Sequence, residues 1–182
     1  MSTSIEQSLQ GISIYLIGMM GVGKSTIGKL LAHQLSYRFF DTDVLIERVT
    51  QKSIPEIFAE SGEDSFRELE HQVLQEISVE TKSVIATGGG IVERQINWSY
   101  LQQGLIIWLD VEVEVLKQRL AEDNNRPLAD KLELLLQQRH SLYAQADLRI
   151  KIVADQTPED IVQQILELIP TVIKSESNFS HS

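Results

Sequence analysis

Gly18-Met19-Met20-Gly21-Val22-Gly23-Lys24-Ser25-Thr26 contains a complete Gly-x-x-x-x-Gly-Lys-Ser stretch, and its surroundings decide the fold. The apolar run Ile12-Ser13-Ile14-Tyr15-Leu16-Ile17 before it reads as a buried strand, and Ile27, Leu30, Leu31 and Leu35 after it follow helical spacing. Between a strand and a helix, such glycines let the backbone curl its N–H groups toward phosphate oxygens at a positive helix N-terminus. Gly21, Val22, Gly23, Lys24, Ser25 and Thr26 are therefore the expected nucleotide-binding residues. Lys24 would reach the β- and γ-phosphates and Ser25 would offer a hydroxyl to Mg²⁺. A turn that binds nothing would not require Lys-Ser at the helix start.

Outward from this loop, strand and helix patterns alternate. Arg38-Phe39-Phe40 reads as a second strand ending in Asp41-Thr42-Asp43, and residues 44–47 open a helix. Ser53-Ile54-Pro55-Glu56 is a helix start with proline in the first turn, and apolar residues from Ile57 to Ile77 predict helical packing interrupted at Gly62. Residues 83–86, 105–110 and 149–153 read as the third, fourth and fifth strands. Helices are expected at about 112–122, at 131–143, and from Thr157-Pro158 onward. This alternation predicts an α/β fold, a five-stranded parallel sheet flanked by helices on both faces. The first ten residues read as a loose lead-in, residues 1–170 as one domain, and residues 171–182 as a disordered tail.

The whole chain, 182 residues with 42% hydrophobic content, suits one domain. A formal charge of −10 argues against a nucleic-acid partner, since phosphate backbones repel an acidic surface. There is no cysteine, which excludes disulfides and thiolate chemistry and fits a reducing compartment. No apolar stretch approaches the ~20 residues that span a bilayer, and MSTSIEQSLQ lacks a basic segment followed by an apolar one. A cytoplasmic protein without membrane partners is expected.

In an open parallel sheet, ligands gather beyond the carboxyl ends of the strands. Strand one ends at the phosphate loop, strand two at Asp41 and Asp43, and strand three at Gly88-Gly89-Gly90, so all three should face one crevice. If extended geometry continues, Asp41 and Asp43 point differently and divide the work. One would help hold Mg²⁺ and the other would bond a substrate hydroxyl and accept its proton; alternatively, one of them caps the next helix. Three consecutive glycines carry a high entropic cost that close approach of a ligand would justify, although glycine runs also make tight corners. From spacing alone Arg67 and Arg139 read as solvated helix residues. Arg126, beside Pro127 in a polar segment, reads equally as a surface residue or as a lid arginine that meets transferring phosphate.

The combination of GMMGVGKST, FFDTD followed by VLIE, SIPEIFAESGEDSFRELE, ATGGGIV, Arg126-Pro127-Leu128 and QQRHSLYAQAD resembles the shikimate kinase family, from about Gly11 to Leu168. The resemblance implies ATP- and Mg²⁺-dependent phosphorylation of the 3-hydroxyl of shikimate, on the way to chorismate and the aromatic amino acids. It implies a P-loop, nucleoside-monophosphate-kinase-like fold, with a substrate-binding helical region at about 41–80, a lid at about 120–132, and a monomer. By the same resemblance Asp43 would be the base, with Lys24 and Arg126 on the phosphates. Arg67 and Arg139 would clamp the shikimate carboxylate, paired N–H groups matching its two oxygens. Gly88, Gly89 and Gly90 would hold substrate, Phe58 and Phe66 would wall the pocket, Ser25 and Asp41 would hold Mg²⁺, and Arg119 and Gln156 would flank the adenine. The chain departs from the family pattern between Arg126-Pro127-Leu128 and the helix of Arg139, where the connection is short. That departure leaves a non-catalytic, nucleotide- or partner-binding relative as one alternative; another is a related kinase acting on gluconate.

Overall fold

Three strands are almost wholly buried and two are not, and that difference marks their places in the sheet. The computed structural model describes residues 2–122 and 126–177. Its strands are β1 (Ile14–Ile17), β2 (Arg38–Asp41), β3 (Ser83–Ala86), β4 (Leu105–Val111) and β5 (Leu148–Ile152), all parallel, in the order β2-β3-β1-β4-β5. β1 and β3 are buried throughout and β4 at every residue but Asp110, and these three lie in the middle. In β2 and β5, partly exposed residues mark the two edges. The predicted α/β architecture is thus observed.

The helices are α1 (Ser2–Leu9), α2 (Lys24–Leu35), α3 (Thr42–Thr50), α4 (Ile54–Ile77), α5 (Gln95–Leu101), α6 (Val113–Glu122), α7 (Arg126–Tyr143) and α8 (Pro158–Ser177), with a 3₁₀ turn at Ile91–Glu93. Two starts follow the predicted chemistry. Ser53 and Glu56 form a reciprocal capping box on α4, and Thr157 and Asp160 exchange backbone–side-chain bonds at the start of α8. Within α4, Gly62 adopts φ 78° and ψ 177°, breaking the helix where the sequence predicted an interruption.

Both ends of the chain depart from expectation. The lead-in is helical: Ile5 and Leu9, four apart on one face, turn inward, and Leu9 is completely buried. At the other end α8 continues through Pro170 to Ser177, because Val172 and Ile173 extend its apolar stripe against the core. Residues 171–177 are therefore helix rather than disordered tail; residues 178–182 lie outside the described part. α1 packs against α8 and α2, so each terminal helix covers apolar surface of the other. Neither the 3₁₀ turn nor α5 was expected from the sequence.

If α1 belongs to the core, Leu9→Ala should destabilise the protein by about 2–5 kcal/mol through lost burial and the cavity left behind. A urea denaturation midpoint unchanged from wild type would return the first ten residues to a loose lead-in.

Candidate active site

Register brings the functional segments out of the sheet together. Leu16 pairs with Ala86 and Asp41 pairs with the same Ala86, so the residues after β1, β2 and β3 emerge side by side. Cross-links hold these ends: Thr87 Oγ1 donates to Leu16 O at 2.9 Å, and Gly88 N–H donates to the buried Thr42 hydroxyl at 3.0 Å. A cleft of about 280 Å³ results, lined by the phosphate loop, Asp41, Asp43 and residues 87–89.

The loop needs its glycines at two places. Gly23 takes φ 102° as it caps α2, and a β-carbon on Gly18, at φ 143°, would stand 2.5 Å from the Leu109 carbonyl oxygen. Lys24 Nζ donates to the carbonyls of Gly18 at 2.7 Å and Met19 at 2.8 Å. Burial pushes its ammonium down to about 8, against the opposing pull of Asp43 and Asp41. Ser25 Oγ donates to Asp41 Oδ2. Arg119 reaches the loop too, donating to Gly21 O at 3.2 Å. Gln156 lies apart, in the turn before α8, where its Oε1 accepts from Val153 N–H.

Asp41 and Asp43 stand in different surroundings, and for Asp41 it is the capping alternative that the structure shows. The helix begins at Thr42, so Asp41 is its N-cap and accepts from the N–H groups of Asp43 at 3.0 Å and Val44 at 3.3 Å. Asp43 sits in the first helical turn with its Oδ1 buried and unpartnered. Burial, and then the adjacent Asp41 charge, raises its carboxyl above the usual range, with Lys24 opposing. A carboxylate so placed is a better proton acceptor than a solvated one.

The three glycines after β3 are the floor on which the remaining groups meet. A β-carbon on Gly88 would stand 2.3 Å from Glu70 Oε1 and 3.1 Å from Asp43 Oδ1; on Gly89, 3.3 Å from Arg139 Nη1; on Gly90, 2.4 Å from the Arg67 guanidinium. Arg67 and Arg139 are therefore not solvated helix residues: Arg139 is only 4% exposed, with Nη1 unpartnered, and Arg67 donates to Glu70 at 2.9 Å. The Phe58 and Phe66 rings lie 4.7 Å apart, tilted by 34°, with the Arg67 guanidinium over the Phe66 ring.

Sequence reasoning missed Glu70, Glu93 and Tyr143. Glu70 is fully buried, and burial raises its carboxyl despite Arg67. Glu93 bonds Arg139 Nε at 2.7 Å, and the Tyr143 hydroxyl donates to Gly89 O at 2.6 Å. The three-residue spacing of Arg67 and Glu70 on one helix face was the available signal for the first; no local pattern marks the other two. The backbone of Arg126 opens α7, which runs unbroken through Arg139, so the short stretch 129–132 is itself helical rather than loop. The Arg126 side chain and residues 123–125 lie outside the described part.

A phosphate loop facing paired guanidiniums and carboxylates across a sheet end defines a small-molecule kinase of the P-loop, nucleoside-monophosphate-kinase-like class. The chain belongs to the shikimate kinase family, whose model matches residues 20–170. It is 61% identical over 173 residues to the shikimate kinase of Microcystis aeruginosa, covering 92% of this chain and 91% of that one. The structure of Acinetobacter baumannii shikimate kinase in complex with shikimate superposes with a TM-score of 0.84 at 38% identity, covering 92% of this chain and 97% of that one. A gluconokinase from Sinorhizobium meliloti reaches a TM-score of 0.62 at 17% identity, covering 94% and 98%, a likeness of fold alone.

Lys24 is charged below about 8 and neutral above it, so ATP affinity should fall as pH rises through that value. In Lys24→Arg, whose guanidinium does not titrate there, the fall should flatten. Calorimetric titration across the neutral-to-alkaline range checks this; a wild-type affinity that stays level would show that the lysine does not titrate in the range.

Proposed function

We infer that this protein is a shikimate kinase, transferring the γ-phosphoryl group of ATP to the 3-hydroxyl of shikimate in the route to chorismate and the aromatic amino acids. The observation that carries the reading is the convergence of Asp43, Glu70, Arg67 and Arg139 on Gly88–Gly90, within reach of the phosphate loop. It matches a substrate that bears both hydroxyls and a carboxylate.

Arg67 and Arg139 hold the substrate carboxylate, since a guanidinium fork is suited to two oxygens in one plane. Phe58 and Phe66 wall that end of the pocket, and the backbone of Gly88, Gly89 and Gly90 lies against the ring. At the other end Asp43 bonds the reacting hydroxyl. As the hydroxyl oxygen bonds to the γ-phosphorus, the bond from phosphorus to the bridging oxygen of ADP breaks and the hydroxyl proton passes to Asp43. The main chain at 21–26 and the Lys24 ammonium cradle the phosphates, and Arg126, in the first turn of α7, serves the same charge from the lid side. Arg119 and Gln156 flank the adenine.

The donor set at the loop fits Mg²⁺: a serine hydroxyl beside a carboxylate offers hard oxygens, and this ion takes few protein ligands when phosphates and water complete its shell. Ser25 and Asp41 would hold it, and the ion would neutralise charge on the transferring phosphate. The net charge of −10 supports a protein without a nucleic-acid partner, and among the described residues no helix is long and apolar enough to cross a membrane. We further read it as a cytoplasmic monomer; light scattering on the purified chain tests the monomer.

ADP release should depend on shikimate and not on gluconate or quinate. Asp43→Asn should bind shikimate yet lose about 100-fold or more in kcat, the usual scale of a lost general base. Near-normal turnover in that variant would overturn its role, and gluconate-dependent release would favour the related kinase.

A further inference from the structure

Glu93 is a carboxylate that the phosphoryl chemistry does not use, yet it contacts both arginines of the carboxylate clamp. Its Oε1 accepts from Arg139 Nε at 2.7 Å, and its Oε2 lies 3.5 Å from Arg67 Nε. Arg67 comes from α4 and Arg139 from α7, and among the described ion pairs Glu93 is the side chain the two share. Its own position is fixed from behind. The 3₁₀ turn that carries it is pinned by Asn97 Nδ2 donating to Ile91 O at 2.8 Å and Trp98 Nε1 donating to Val92 O at 3.0 Å.

The edge at which Glu93 meets each guanidinium matters. A guanidinium is a planar fork, so fixing its Nε–H fixes the direction of its Nη groups. With Glu93 on Nε, Arg139 keeps a buried, unpartnered Nη1 that faces the Gly89 floor. Were Glu93 an internal competitor for the clamp, it would be expected on that Nη group. A single negative charge between two cations also offsets the repulsion of holding them close.

We propose that Glu93 is a positioning residue: its hydrogen bond to Nε sets the tilt of Arg139, so that this guanidinium meets the substrate carboxylate beside Arg67. The proposal rests on the reading that these two arginines bind that carboxylate.

Steady-state kinetics of Glu93→Gln, Arg139→Lys and the double variant, in the full chain, tests both. Glu93→Gln should raise the shikimate KM about tenfold, the scale of one misaligned charge-assisted hydrogen bond, with kcat and the ATP KM within about twofold. Arg139→Lys should raise the shikimate KM at least as much. Adding Glu93→Gln to it should change little further, because lysine has no fork to orient. If Arg139→Lys raises the KM while Glu93→Gln leaves it unchanged or lowers it, Glu93 is a brace or a competitor and the proposal fails. Fully additive losses also overturn it, since Glu93 would then act apart from Arg139. An unchanged KM in Arg139→Lys overturns the clamp reading instead. Should Glu93→Gln fold poorly, Glu93→Asp, one methylene short of reaching both arginines, should show the same split between shikimate KM and kcat.

Discussion

The site depends on the absence of β-carbons at Gly88 and Gly90. Side chains from three different helices, α3, α4 and α7, close over residues 88–90, and a methyl group on Gly88 or Gly90 would displace the α4 side chains Glu70 and Arg67. Parallel order supplies the rest of the constraint. Because β3 lies between β2 and β1, its glycine run leaves the sheet between the phosphate loop on one side and the Asp41–Asp43 segment on the other. Donor and acceptor halves of the reaction therefore share one short piece of main chain, and neither can shift without the other.

Charge in this cleft is arranged rather than merely accumulated. Lys24, Arg67 and Arg139 face Asp41, Asp43, Glu70 and Glu93, and removing such groups from water is unfavourable unless each finds a partner. Most do. Of the exceptions, Asp43 Oδ1, Glu70 Oε1 and Arg139 Nη1 lie against Gly88 or Gly89, and Arg67 Nε faces Glu93 at 3.5 Å without a hydrogen bond. Unpaired buried atoms gathered at one spot mark where a polar molecule completes the network. A ligand with hydroxyls and a carboxylate supplies acceptors for the arginine and donors for the acids.

How much of this was legible in the sequence depended on range. The loop from Gly18 to Thr26, the two proline-bearing helix starts and the break at Gly62 are local, and each was readable from neighbouring residues. Asp41 was harder, because whether a strand-end carboxylate continues the strand or caps a helix is decided by a single residue, Thr42. The arginine pair was invisible to spacing: Arg67 and Arg139 look like surface residues until the fold brings α4 and α7 to the same glycine run, and only family resemblance marked them beforehand. Glu93 lies outside every quoted motif, and Tyr143, although inside QQRHSLYAQAD, had no role assigned to it. Helix α1 and the continuation of α8 past Pro170 were missed for the same reason, since Leu9, Val172 and Ile173 acquire a face to pack on only when the chain ends meet.

The break at Gly62 separates α4 into a leading segment that bears Phe58 and a following one that bears Phe66, Arg67 and Glu70. In a continuous helix, each residue inserted or deleted turns everything downstream by about 100°. Here that phase is reset. The leading segment, with Phe58, can change length without rotating the Arg67 guanidinium away from the glycine run after β3, so one part of α4 is free to vary while its charged part keeps its bearing.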